Sequence, residues 1–275
     1  MISVLILTYN EEQDLPACLD SVAFSDDIHV FDSNSTDKTQ QIAQNRGVHL
    51  HTRAFDNYAA QRNAAMQLPF RHPWVLVLDA DERPTPALIA EIAKILPKTP
   101  ETTAAFRIRR RDFLWGTWLA HAQMSPFYVR LLRVGRVQYT REVNEIAEIS
   151  GETAQLTEPF DHFPFSKGIS HWVAKHNNYS TREAELLAEG SFSHDASFHQ
   201  ALFGHDFHTR RIAQKAIFYQ LPGRPVIKWL YMMFFRGAVL DGQAGVMYAT
   251  LQSLYEYLIE IKHRELLRRR TNKLL

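Results

Sequence analysis

The chain has 275 residues, a formal net charge of +1, 45% hydrophobic and 22% charged residues, the balance of a soluble globular protein of one large domain or one domain with a subdomain. Near-neutral charge gives no footing for nucleic acid as the main partner. The single cysteine, Cys18, excludes an internal disulfide and reads as buried filler in a reducing compartment, and the histidines show no paired Cys/His zinc spacing.

Residues 2–8 predict a strand that starts at once, leaving no room for a secretory leader, and residues 12–23 a helix. Ile28-His29-Val30-Phe31-Asp32 predicts a second strand. The turn-rich Ser33-Asn34-Ser35-Thr36-Asp37 follows, then a helix over 39–46 closed by Gly47. A third strand is expected at 48–51, a helix at 57–68, a fourth strand at Trp74-Val75-Leu76-Val77-Leu78, and a helix at 86–96 opened by Pro86. This βαβαβαβα alternation implies an α/β protein with a doubly wound, mostly parallel sheet.

Past Ala104 the pattern changes. Residues 105–109 and 128–133 predict strands of a mixed sheet, separated by a loop holding Trp115, Trp118 and His121. Helices are expected at 169–188, 197–218 and 244–262, with a break at Pro222-Gly223-Arg224-Pro225. The division expected is an α/β core over 1–165 and a mainly helical subdomain over 166–275. No stretch approaches ~20 uninterrupted apolar residues, so no transmembrane helix is expected.

Polar residues gather where these strands end. The fourth strand runs into Leu78-Asp79-Ala80-Asp81-Glu82, at the sheet edge where open α/β folds bind ligands. On an extended chain Asp79 and Asp81 point the same way and reach one site, and paired carboxylates suit a hard dication bridging to phosphates. The first strand ends in Thr8-Tyr9-Asn10-Glu11-Glu12. With no glycine before Gly47, the phosphate loop of a dinucleotide-binding domain is missing, whereas these hydroxyl, amide and carboxylate groups suit a base and a ribose. Asn10 can instead be a helix N-cap, and Asp32 either accepts from a base or ribose or caps the next helix.

Taken in order with Gln61-Arg62-Asn63, these motifs resemble family 2 glycosyltransferases, inverting enzymes of the GT-A fold. The nearest likeness is to the bacterial branch that builds lipopolysaccharide core or exopolysaccharide, including the core β-1,4-glucosyltransferases. Weaker likeness continues through Arg130-Leu131-Leu132, Val143-Asn144-Glu145 and Leu240-Asp241-Gly242. The resemblance implies that Thr8, Tyr9, Asn10, Glu11 and Asp32 hold the nucleotide. It makes Asp79 a ribose or metal contact and Asp81 a ligand of Mg²⁺ or Mn²⁺, the ion that neutralises the departing diphosphate. Arg62 adds positive charge near the phosphates.

Inversion also requires a base for the acceptor hydroxyl. The branch's valine–histidine–glutamate motif stands here as Val143-Asn144-Glu145, so Glu145 is the candidate, with Glu142 and Asp112 as competitors and pairing to Arg141 as its structural alternative. His162, in Asp161-His162-Phe163, can complete the metal shell or be structural. Arg107, Arg109 and Arg111 share a strand face, either toward an anionic acceptor or on a solvated edge.

The aromatic run Lys228–Arg236, an apolar face through Ala244, Met247, Tyr248, Leu251, Leu254, Tyr255, Leu258 and Ile261, and the closing Lys262, His263, Arg264, Arg268, Arg269, Arg270 and Lys273 suggest either a peripheral membrane surface or packing on the core. Together with the resemblance these features predict a cytoplasmic, metal-dependent hexosyltransferase that moves a hexose from a nucleotide diphosphate sugar, expected to be a UDP-sugar, to a lipid-linked or polysaccharide acceptor. The rival classes are a sugar-1-phosphate nucleotidyltransferase and a non-catalytic glycan-binding or scaffold subunit.

Overall fold

The structure, a computed structural model, describes residues 1–140, 146–190, 214 and 216–271. The chain forms two compact units: Met1–Phe113 with Met124–Ser166, and Leu114–Gln123 with Lys167–Leu275.

The first unit opens β1 (Ser3–Thr8), α1 (Leu15–Ser21), β2 (Ile28–Asp32), α2 (Thr39–Asn45), β3 (His49–Thr52), α3 (Tyr58–Ala65) and β4 (Trp74–Asp79). Then come β5 (Glu82–Pro84), α4 (Pro86–Ile95) and β6 (Thr103–Leu114), with the two-residue β7 (Thr117–Trp118) beyond it. The series closes with β8 (Phe127–Arg133), β9 (Val137–Thr140), β10 (Ile146–Ile149), β11 (Glu152–Gln155) and β12 (Phe160–His162). The sheet order is β3-β2-β1-β4-β8-β6-β12-β5, with β11 alongside β6. The four N-terminal strands are parallel, and β8 joins them antiparallel to β4 and β6.

Alternation along the central strands supplies two apolar faces. Val4, Ile6, Leu76 and Leu78 bury with Leu15, Cys18, Leu19, Leu88 and Ile92 of α1 and α4. Leu5, Val75 and Val77 bury with Ala59 and Ala65 of α3 and with Met66. Strands covered on both faces read as continuous apolar runs, as β1 and β4 do. The thiol of Cys18 is fully buried, which raises its pKa.

Local chemistry sets the helix starts. Asn57 caps α3 by accepting from the Ala60 N–H, Thr85 caps α4 by accepting from Leu88, and Pro86 takes the first helical position. Gly47 turns at φ 66° after α2. The strands β5 and β12 were not expected from the sequence: three residues each offer no periodicity to read.

In the second unit, α5 (Gly168–Ala188) and α7 (Gly242–Arg270) pack along each other, and α6 (Arg224–Leu230) packs on α7. The break at Pro222–Pro225 is the start of α6, with Gly223 at φ 64° as its N-cap. The helix expected at 197–218 lies mostly outside the described residues. Leu114–Gln123, which the sequence reading placed in the first domain, belongs here. The Asp241 carboxylate accepts from the backbone N–H groups of His121 and Ala122 and lies 2.6 Å from His121 Nδ1. Gly245 lets the Ala238–Asp241 turn lie against α7, since a Cβ there would stand 2.0 Å from the Ala238 carbonyl oxygen. Of the predicted apolar face, Ala244, Tyr248 and Leu251 are buried core, whereas Leu254 and Ile261 stay exposed. Lys262 donates to Asn177, Ser180 and Thr181, and Arg264 and Arg269 pair with Glu260 and Glu265 one turn back.

Candidate active site

The loops after β1 and β2 are stitched together. The Asn10 N–H donates to Ser35 Oγ at 2.8 Å, and the Thr36 N–H donates back to Asn10 Oδ1 at 2.8 Å. The Glu11 N–H donates to Thr39 Oγ1 at 2.8 Å. Asn10 holds φ 54°, a left-handed conformation that asparagine tolerates, and it caps no helix, since the residue before α1 is Asp14. Asp32, fully buried, accepts from Thr8 Oγ1, the Ser35 N–H and hydroxyl, and Gln40 Nε2. It is not the cap of α2, whose N-cap is Lys38. Its carboxylate is the brace that shapes the loop. Tyr9 stands 58% exposed beside it, a free aromatic face at the strand ends.

Asp79 and Asp81 come to one region with different partners. Asp79 is the last residue of β4, whereas Ala80 and Asp81 form a turn, so the alternation expected of an extended chain stops at Asp79. Arg130, 8% exposed on β8, lies 2.8 Å from Asp79 Oδ2 and also pairs with the buried Glu82. Arg62 stands 3.5 Å from Asp79 Oδ1. Enclosure alone would raise the Asp79 pKa, but Arg130 and then Arg62 hold it well below the usual carboxylate range. Burial pushes Glu82 the other way, to about 7, against the pull of Arg130. Gln61 and Asn63, the neighbours of Arg62, do structural work: Gln61 donates to Ser33 Oγ, and Asn63 exchanges two 2.8 Å bonds with the Tyr139 backbone.

The third component arrives through β12, which runs parallel to β6 and antiparallel to β5. The registers set His162 beside Asp112 on one flank and Glu82 on the other. His162 Nδ1 is 2.5 Å from Asp112 Oδ1, and Nε2 is 3.2 Å from Asp81 Oδ2. Burial lowers the His162 pKa, but hydrogen bonds to Asp112 and Asp81 outweigh it and carry it up to about 9. Asp112 is 4% exposed and also pairs with Arg110 at 2.9 Å, so its carboxylate is held between Arg110 and His162. Of the arginine face, Arg111 pairs with Asp161 at 2.6 Å.

Glu145, with Arg141, Glu142, Val143 and Asn144, lies outside the described residues. Arg130 and Glu82 carry roles the sequence reading did not assign them. A signal for Arg130 existed: an arginine flanked by apolar residues in mid-strand must find a carboxylate if it is buried.

This geometry is a nucleotide-type sheet edge with a carboxylate–histidine–carboxylate relay. Residues 3–156 match the family model described as Glycosyl transferase family 2. The chain belongs to that family. It is a glycosyltransferase with a GT-A-type α/β core and a helical C-terminal extension. It is 26% identical over 271 residues to the lipopolysaccharide core biosynthesis glycosyltransferase LpsC of Rhizobium meliloti, covering 95% of this chain and 91% of that protein. It is 36% identical over 207 residues to an uncharacterized glycosyltransferase of Rickettsia conorii, covering 68% and 71% of the two chains. Among solved structures, S. aureus TarS 1-349 in complex with UDP is similar at 14% identity and a TM-score of 0.43, covering 96% of this chain and 91% of that one.

Proposed function

We propose that this glycosyltransferase moves a hexose, with inversion, from a UDP-sugar to a lipid-linked or polysaccharide acceptor in cell-envelope glycan synthesis, working at the cytoplasmic face of a membrane. The carrying observation is the Asp81–His162–Asp112 relay beside Asp79. An imidazole facing one carboxylate and fixed on its other nitrogen by a second is the arrangement of a histidine metal ligand with its orienting partner. Asp81 and His162 would hold the ion, with Asp79 beside them. The mixed nitrogen and oxygen donors favour Mn²⁺ over Mg²⁺, which prefers oxygen throughout. When bound, the dication neutralises the diphosphate leaving group.

The chain's own residues do the rest. Thr8, Tyr9, Asn10 and Glu11 shape the nucleotide loop, with Asp32 bracing it from below, and Tyr9 offers a stacking face for the base. Arg62 supplies a fixed positive charge toward the phosphates, and Arg130 keeps Asp79 ionised. Glu145 is the proposed base for the acceptor hydroxyl. The kinship with the lipopolysaccharide core enzyme supports an envelope acceptor. No helix among the described residues is long and apolar enough to cross a membrane. The exposed Phe234, Phe235 and Leu240, at 69%, 81% and 71%, provide the apolar contact for a peripheral attachment.

The test is thermal shift and transfer with a panel of nucleotide sugars. UDP should stabilise the chain in Mn²⁺ and much less in EDTA, since a ligand of the folded state raises its stability by mass action. Transfer undiminished in EDTA, or stabilisation only by other nucleotides, would overturn the reading. Failure to bind anionic vesicles at low salt would remove the membrane assignment, and binding that persists when Phe234 and Phe235 are both changed to Ser would take these two residues out of the contact.

A further inference from the structure

At the opposite end of the same parallel strands lies a group of ligating side chains that sugar transfer does not use. Asp27 precedes β2, His29 is its second residue, and His49 opens β3 as the register partner of His29. Asp27 and His29 are 1% and 2% exposed, whereas His49 is 51% exposed. One ligand atom from each residue lies within 4.8 Å of the others. Asp27 Oδ1 is 3.1 Å from His29 Nε2 and 3.8 Å from His49 Nε2. A tetrahedral ion with bonds of about 2.0–2.1 Å separates its donors by roughly 3.3 Å, so the observed spacings bracket what such an ion needs.

The surroundings prepare each donor. Asp27 Oδ2 is already used, accepting from Ser3 Oγ at 2.5 Å and the Arg71 N–H at 2.8 Å, which turns Oδ1 to the imidazoles. His29 Nδ1 lies 3.1 Å from His51 Nε2. A proton carried on Nδ1 and donated to His51 leaves Nε2 with its lone pair free for an ion, the arrangement ligating histidines adopt.

We propose that Asp27, His29 and His49 form a binding site for a transition-metal dication of the Zn²⁺ type, with its fourth position open to water on the exposed His49 side. Two imidazoles and one carboxylate suit Zn²⁺ and disfavour Mg²⁺. The site is separate from the catalytic carboxylates: β2 runs from Ile28 to Asp32, a span of about 13 Å at strand rise, between this edge and the nucleotide loop. Its effect is structural. β3 is a four-residue edge strand, and the ion ties its first residue to the start of β2 and, through Asp27, to the turn at Arg71. This inference does not depend on the donor or acceptor proposed above.

The experiment uses the untagged full chain carrying Asp81→Ala, which removes the other metal locus. Calorimetry with Zn²⁺ should show one equivalent bound and the melting temperature should rise, with no such rise in Mg²⁺. Co²⁺ should give the visible absorption of a tetrahedral site. Adding His49→Ala, an exposed change that leaves the fold intact by circular dichroism, should weaken Zn²⁺ binding by more than about 100-fold, beyond the loss expected from an orienting partner alone. Asp27→Asn should do the same. Zn²⁺ affinity unchanged by His49→Ala, or no Zn²⁺ binding at micromolar concentration, would overturn the proposal.

Discussion

The two ends of the parallel sheet each hold an aspartate–histidine pair, and the two histidines are driven in opposite directions. His162 sits between Asp112 and Asp81 and is carried up to about 9. His29 is more buried still and, among the described residues, meets the carboxylate of Asp27 together with the rings of His49 and His51; it is carried down. Burial pushes both rings toward neutrality. The number of carboxylates decides which one keeps its proton: two outweigh desolvation, one flanked by imidazoles does not. An enclosed Asp–His contact is therefore not one chemical unit. At the C-terminal edge it is part of a charged network with Arg130, Arg62 and Glu82. At the N-terminal edge it joins a carboxylate held ionised to a ring driven toward neutrality.

The comparison breaks most severely at Arg130. Arg130→Met leaves Asp79 and the buried Glu82 without their shared cation, and removing one partner of a buried ion pair costs about 3–5 kcal/mol. Urea unfolding should show that loss. A change under 1 kcal/mol would mean that water reaches the pair. Asp81→Ala should leave unfolding nearly untouched and lower transfer by about 10²–10³-fold, the scale of losing a fixed electrostatic contact to the leaving group. Turnover close to wild type would take Asp81 out of the site.

Acid and alkali sharpen the contrast in the metal-free protein. Folded His162 keeps its proton up to about 9, while the unfolded ring releases it near 6.5. Its contribution, at most about 3 kcal/mol, is complete below the unfolded value and lost as pH climbs through the folded one. His29 has the opposite sign. Its folded pKa lies below 6.5, so its contribution is present above that value and fades as pH falls, when the unfolded ring takes up a proton the folded ring refuses. Stability measured in EDTA should therefore decline on both sides, with Asp112→Asn flattening the alkaline limb and His29→Gln the acid limb. If one substitution flattens both limbs, the two edges are not independent. Asp112→Asn should also weaken Mn²⁺ binding by about 10–100-fold, as loss of an orienting partner does. The smallest effect belongs to His49→Ala, which should alter zinc-free stability by no more than about 0.5 kcal/mol and leave transfer as it was.

Much of the first unit was legible because its signals are local. Val4, Leu5 and Ile6, and Val75 to Leu78, are apolar runs that bury on both faces, and Asn57, Thr85, Pro86 and Gly47 punctuate them by side-chain chemistry. The expected β2 coincides with the observed one at both ends. Asp79, Asp81, Arg62 and His162 were named from motif and resemblance, and the structure brings them together. How they meet could not be read. That depends on the pairing of β12 with β6 and β5, which is a matter of register between distant three-residue segments. The role of Asp32 was divided between cap and ligand, and the structure adds a third, since its four donors come from β1, the loop at Ser35 and α2, a convergence no periodicity encodes. In the second unit, an amphipathic spacing identified α7 but not what covers it, because lipid and a neighbouring helix ask for the same side chains.

The late position of β12 has a consequence for the birth of the protein. Asp81 and His162 are 81 residues apart in the chain, and β5 has β12 as its strand partner. At a synthesis rate of about 5–20 residues per second, the acidic turn leaves the ribosome several seconds before the histidine that faces it. In that interval the nascent chain carries the acidic turn without the imidazole of His162, and Glu82 to Pro84 lack the β12 partner that makes them a strand. The facing pair proposed above to hold the metal is therefore completed only in one late step, when a three-residue strand joins β5 and β6.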